Sequence, residues 1–119
     1  IAARYDEMFA DIPFVRPLAQ RPDRTNAYHL YVIRLDLGRL KVDRRRAFDH
    51  LKAAGIGANV HYAPVYHHSF YRERFGYQPG LCANAEAVYR EILTLPMFPT
   101  LSEADQEYVV RAVAGLKHL

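Results

Sequence analysis

The sequence predicts an α+β fold, a two-layer sandwich in which a small sheet of about three largely antiparallel strands carries helices packed on one face. Three short extended runs, about four or five helical stretches, and long helical connections between them point to that arrangement. At 119 residues the chain is read as one domain, 1–119, large enough to bury a single core.

Ile1, Tyr5, Met8 and Phe9 fall on one stripe of a helix, and Asp11 and Pro13 stop it. Pro17 and Pro22 keep the following connector extended, and 21–26 is a polar loop. Tyr28–Leu35 reads as a strand, apolar on both faces until Arg34, and therefore as an interior strand covered on both sides. Asp43 suits the N-cap of a helix through Ala54, with Phe48 and Leu51 turned inward. Tyr66–Phe75 is a short aromatic helix or turn closed by Gly76 and the Pro79-Gly80 pair. Asn84 is expected to cap a helix to about Glu91. Ile92–Pro99 is a further extended segment, ended or held at an edge by its prolines. Ser102 and Asp105 resemble a capping box for the last helix, whose inward stripe is Val109, Val113 and Leu116.

The segment from Gly55 to His68 concentrates the side chains able to bind. Gly55 and Gly57 are expected at positive φ, where a helix ends and the chain turns. Gly57–Pro64 then reads as the central strand. Alternation puts Asn59 and His61 on one face, with Val60 and Tyr62 on the other. Pro64 donates no ladder hydrogen bond, so the chain leaves the sheet there. An Asn and a His on one face of an otherwise apolar strand face something polar, and any site borders this exit.

Composition narrows the classes. Half of the residues are hydrophobic, a quarter are charged and the net charge is +3. That is an ordinary globular balance with no basic tract, so nucleic acid is not implied. A single cysteine, Cys82, excludes a disulfide framework and a thiolate zinc site, and fits a reducing cytoplasm. No run approaches membrane-spanning length. His61, His67 and His68 lack the spacing of a helical His pair, and no carboxylate precedes Glu73 in that loop, so no metal site is assigned. Arg44-Arg45-Arg46 occupies a helix first turn, where the macrodipole disfavours cations. It is either an anion patch or a solvated face on long flexible stems.

Four runs in order resemble the C-terminal small domain of the DegT/DnrJ/EryC1/StrS aminotransferases, fold-type I enzymes that use pyridoxal phosphate (PLP). They are Ala27–Leu35, Leu51–Gly57, Val60–Pro64, and Ala85–Tyr89 leading to Leu93–Pro99. The runs Val65–Tyr71 and Leu95–Phe98 are most similar to the pseudaminic-acid branch of the family, which serves cell-surface polysaccharide biosynthesis. That resemblance implies a cytoplasmic homodimer, transferring an amino group from glutamate to carbon 4 of a UDP-linked 4-keto-6-deoxy sugar. It implies residues 1–10 as the end of an inter-domain helix and 27–119 as the small-domain core. It also implies that the Schiff-base lysine, the aspartate on the pyridine nitrogen and the phosphate cup belong to a large N-terminal domain absent from these residues. Lys41, Lys52 and Lys117 have no setting that would make one a nucleophile. No catalytic or cofactor-binding residue is therefore assigned to this chain, and by itself it is expected to be inactive.

The expected substrate-binding residues are His61, Tyr62, His29, Tyr28 and Asn59. In the family the His-Tyr-x-Pro segment borders the substrate cleft, which favours His61 over a buried structural histidine. Tyr62 is as well placed for the core as for a substrate. Of Tyr28 and His29, one faces away from the helices. A different class of protein also fits the same residues: a free-standing binding or regulatory domain that keeps the fold without catalysis.

Overall fold

A computed structural model describes all residues, 1–119. The sheet has three strands, β1 (Val15–Pro17), β2 (Tyr31–Leu35) and β3 (Ile92–Leu95), in the order β1-β2-β3 with both pairings antiparallel. β2 is the central strand, as an apolar run with little polar relief requires. It begins at Tyr31, three residues later than the sequence predicts, because Tyr28 adopts a φ of 49° that a strand does not accommodate. β1 falls inside the stretch expected to be a plain connector. Its three residues pair with Leu35, Arg34 and Ile33, and Pro17 ends it at the sheet edge.

The chain has five helices: α1 (Ala2–Phe9), α2 (Arg44–Ala53), α3 (Ser69–Phe75), α4 (Ala83–Glu91) and α5 (Glu103–Ala114). Local sequence sets two of the starts. The Asp43 carboxylate accepts the Arg46 amide at 2.8 Å to open α2, and the Ser102 hydroxyl accepts the Asp105 amide at 3.1 Å to open α5. Gly55 at φ 74° follows the end of α2. Gly57, also expected at positive φ, is not there. Cys82, rather than Asn84, occupies the N-cap of α4, and Asn84 lies within the helix.

Register separates the two sheet faces. Val15 opposite Leu35, Ile33 opposite Leu93 and Tyr31 opposite Leu95 lie on the face toward α1, α2 and α5. There they join Tyr5, Phe9, Ala47, Leu51, Val109, Val113 and Leu116 in one buried cluster. Phe48, expected inward, is only half-buried against it. Tyr5 stacks on Tyr31 with ring centroids 4.7 Å apart, and Phe9 stacks on Tyr5 at 5.7 Å. The segment before residue 27 thus contributes directly to the core through α1, Phe14 and Val15.

The second face presents Val32 and Arg34 from β2, with Ile92 and Thr94 opposite them on β3. The sequence predicts a strand covered on both sides but helices on one face only. The chain itself covers part of the second face, and both Ile92 and Thr94 are buried. α4 runs against β2, and Arg34 ties down its end with two hydrogen bonds to Glu91, at 2.6 and 2.9 Å. The remaining cover is the segment that follows α2. No helix is long and apolar enough to cross a membrane.

Candidate functional site

The predicted central strand Gly57–Pro64 does not form. Only Asn59 bridges to the sheet, exchanging both backbone hydrogen bonds with Thr94 at 3.0 and 2.8 Å. The segment is therefore a one-residue extension at the β3 edge. It ends because the Asn59 side chain takes the Val60 amide at 2.8 Å, so that amide is used locally and not across strands.

The bridge nonetheless sorts the side chains. Asn59 and Thr94 share a face because directly paired residues point the same way. His61 is on that face too, its Nδ1 3.0 Å from the Thr94 hydroxyl. Val60 packs against the core cluster on the other side. Tyr62, weighed in the sequence equally as a core and as a substrate-binding residue, is 67% exposed, and its ring stands edge-on to His61 at 4.6 Å. A hydroxyl both donates and accepts, so Thr94 fixes the His61 ring in either neutral tautomer. The Nε2 atom has no hydrogen-bond partner within the chain. His61 is half-buried, held on one nitrogen and free on the other.

Asn59, His61 and Tyr62 therefore lie together. Tyr28 and His29 lie elsewhere. They are exposed in the loop entering β2, at the end of the sheet marked by the Tyr31–Leu95 pair. From Thr94 the 59–64 segment runs antiparallel to β3, toward the Ile92 end. The Tyr28 amide donates to the Asn26 side chain at 2.8 Å, and its hydroxyl pairs with Gln20. Its open groove is shared with Ile1, Ala2, Met97 and Phe98, away from His61.

Beyond Pro64 the chain makes a 3-10 turn over Val65–His67 and reaches a second polar cluster, which the sequence reading missed. One oxygen of Glu86, in the first turn of α4, accepts the Tyr66 hydroxyl at 2.9 Å and His67 Nε2 at 3.2 Å. The same oxygen accepts the Gly80 amide. The Tyr66 hydroxyl in turn accepts the Cys82 amide at 3.2 Å. The Gly80 N–H foremost, with His67 and Tyr66, holds the Glu86 carboxyl below the usual carboxylate range. Burial, together with the bond to Glu86, pushes the Tyr66 phenol up. His67 stands edge-on to Tyr66 at 4.8 Å and to Tyr89 at 6.2 Å. The Arg44 guanidinium lies 4.8 Å from the centre of the Tyr89 ring. Of the arginine run, Arg44 thus packs on an aromatic ring and Arg45 pairs with Asp49 at 2.8 Å. The three histidines of the segment have separate partners or none: His61 meets Thr94, His67 meets Glu86 and His68 is exposed.

The DegT/DnrJ/EryC1/StrS aminotransferase family profile matches residues 1–114. The chain belongs to that family. Among curated relatives, the spore coat polysaccharide biosynthesis protein SpsC of Bacillus subtilis is 36% identical over 117 residues. That match covers 98% of this chain and 30% of SpsC. A putative sugar aminotransferase of Streptococcus pneumoniae, Spr1654, superposes with a TM-score of 0.84 at 27% identity, over 98% of this chain and 29% of its own. Its structures include PLP and PMP forms. Helicobacter pylori PseC, an aminotransferase involved in pseudaminic acid biosynthesis, superposes at 0.83 with 27% identity, over 98% of this chain and 31% of its own. The chain thus spans less than a third of the length of these relatives.

The residues here do not by themselves fit the family's cofactor. A lysine that forms a Schiff base must lose its proton, which takes burial or a neighbouring cation. Lys41, Lys52 and Lys117 are all solvent-exposed. What this chain offers is a sheet-anchored imidazole, an exposed tyrosine beside it, and a carboxylate-centred cluster farther along the same loop.

Proposed function

We propose that this chain is the small domain of a PLP-dependent nucleotide-sugar aminotransferase, and that its 59–67 segment forms one wall of the substrate cleft. The observation that supports this reading is the superposition, over nearly the whole chain, on the putative sugar aminotransferase Spr1654 and on the aminotransferase PseC. His61 is the principal substrate-binding group. It sits on a backbone bridged to β3, its ring is fixed by Thr94, and Nε2 is left to bond a sugar hydroxyl or a donor carboxylate. Asn59 shares its face, and Tyr62 supplies an exposed ring and hydroxyl next to it. Tyr28 and His29 belong to a separate part of the surface and act, in this reading, only where another domain brings substrate to them.

The substrate we propose is a UDP-linked 4-keto-6-deoxy sugar, with glutamate as amino donor, and the full-length protein acts as a cytoplasmic homodimer. The likeness to PseC supports a pseudaminic-acid-type sugar. PLP, held mainly by residues outside this chain, supplies the electron sink for moving the amino group. This chain binds and orients the sugar. The test is to incubate the full-length protein with PLP, glutamate and the keto sugar, then follow the amino sugar by mass spectrometry along with 2-oxoglutarate release. Formation of both products in equal amounts is expected. No amino transfer to any UDP-linked keto sugar overturns the reading.

A further inference from the structure

The Glu86 cluster ties together two points that lie far apart along the chain. Tyr66 and His67 precede the stretch that contains α3, and Gly80 and Cys82 follow it. All four are joined through one carboxylate oxygen and one phenol. The residues between, 68–79, form an arm with almost no cover: every one is exposed except the half-buried Tyr71. The backbone hydrogen bonds made within the arm stay local, as in Tyr71 to His68 and Gly76 to Arg72. Its aromatic rings touch one another, Phe75 stacking on Tyr77 at 5.5 Å and meeting Phe70 at 6.2 Å. Neither a strand pairing nor a place in the core cluster anchors it. An exposed segment with few buried contacts draws its fixed position from the bonds at its base.

We propose that Glu86 is a clasp that fixes this arm against α4, and that the clasped arm is the rim of the substrate cleft. Glu86 is then a positioning residue that acts on substrate through Tyr66 and His67. The second half of this inference rests on the proposed function, and the first half does not. Geometry supports both. His67 is six residues beyond His61 on the same loop, and its ring direction is set by the bond to Glu86 and by edge contacts with Tyr66 and Tyr89. Three donors on one ionised oxygen make the hold charge-assisted, so a single side chain controls both ends of the arm.

The experiment compares wild type, Glu86→Ala, Glu86→Gln and Tyr66→Phe in the full-length protein. Trypsin reports on the arm, because Arg72 and Arg74 are its exposed cleavage points. Cleavage there is expected to speed up about tenfold in Glu86→Ala and less in Glu86→Gln and Tyr66→Phe, with the melting temperature of the domain nearly unchanged. KM for the keto sugar is expected to rise about tenfold in Glu86→Ala with kcat within a few-fold of wild type, since the arm contributes to binding and not to the chemical step. Equal cleavage rates in wild type and Glu86→Ala, or in wild type and Glu86→Gln should the alanine variant not fold, overturn the clasp. Faster cleavage with unchanged KM overturns its role at the cleft while leaving the clasp standing. A wild-type protein that transfers no amino group overturns the proposed function, and the cleft role with it. Proteolysis still decides the clasp.

Discussion

Thr94 and His61, thirty-three residues apart in sequence, meet at 3.0 Å on the face of the sheet opposite the main core. Leu93, one residue earlier, is fully buried on the opposite face. A single one-residue step along β3 therefore separates stability from function, and the two changes give opposite results. Thr94→Val keeps the shape but removes the only hydrogen bond of the His61 ring. It is expected to lower kcat/KM about three- to tenfold and to shift the melting temperature little, the loss matching one ordinary hydrogen bond. Leu93→Ala opens a cavity and is expected to cost about 2 to 5 kcal/mol of stability while sparing turnover per folded molecule. Steady-state kinetics and thermal unfolding on both variants check this. A Thr94→Val protein with wild-type kinetics removes the positioning role of the hydroxyl.

His61→Ala removes the ring itself and should be the more severe change. If Nε2 bonds substrate in the transition state, kcat/KM falls about tenfold to a thousandfold, or roughly 1.4 to 4 kcal/mol. Stability should hold, because His61 is only half-buried and outside the core cluster. Val60→Ala, one residue earlier and packed on that cluster, should lower the melting temperature and leave kinetics intact. Measuring both properties for both variants decides between them. Loss of stability from His61→Ala with none from Val60→Ala reverses the assignment of the two faces, and Tyr62 then becomes the better candidate.

Asp43→Ala tests the start of α2. Its carboxylate caps the helix that carries Ala47 and Leu51 into the core and places Arg44 over Tyr89. Loss of the cap is expected to cost about 1 kcal/mol, and Asp43→Asn or Asp43→Ser to restore most of it, as denaturant midpoints will show. An alanine variant as stable as wild type would mean that tertiary packing alone sets the helix start.

Such caps were legible in the sequence because they are local. Asp43 finds its donor three residues on, Ser102 does likewise, and Gly55 ends its helix through its own φ. The core stripe of α5 and the buried run of β2 were legible for the same reason, since periodicity lies within one element. What escaped depends on partners far along the chain. Gly57–Pro64 has the composition of a strand, yet only Asn59 finds an edge to pair with, so alternation past it loses its meaning at Tyr62. β1 is three residues long and contains a proline, too little pattern to stand out. The Thr94 contact was not legible, because its partner His61 lies thirty-three residues away along the chain. Nothing near His67 announces Glu86, nineteen residues away, except that an acidic residue in the first turn of a helix satisfies the helix dipole whether or not it has another task.

Alkaline pH acts on two buried phenols of the core. The Tyr5 hydroxyl donates to the Pro96 carbonyl at 3.0 Å, and the Tyr31 hydroxyl donates to Asp6 at 2.7 Å. Burial pushes the Tyr5 phenol up to about 12. Burial first, and then the bond to Asp6, pushes Tyr31 well above the usual tyrosine value. Both phenols stay protonated in the folded chain at pH values where they ionise freely in the unfolded chain, from about pH 10 upward. The unfolded state then binds fewer protons than the folded one, so stability falls as pH rises. Their contribution is complete below about pH 10 and is lost as pH climbs toward the folded values, by roughly 1 kcal/mol for each group in the first pH unit. Denaturant unfolding of wild type between about pH 9 and pH 11 should show this slope. Tyrosinate absorbance should show Tyr5 and Tyr31 ionising only as the fold is lost, after the exposed members of the nine tyrosines. In Tyr5→Phe and Tyr31→Phe the slope should shrink by one group each, although both variants begin from a lower stability because a buried hydrogen bond is gone. A double variant that retains the full wild-type slope would show that the alkaline loss comes from other groups and not from these two phenols.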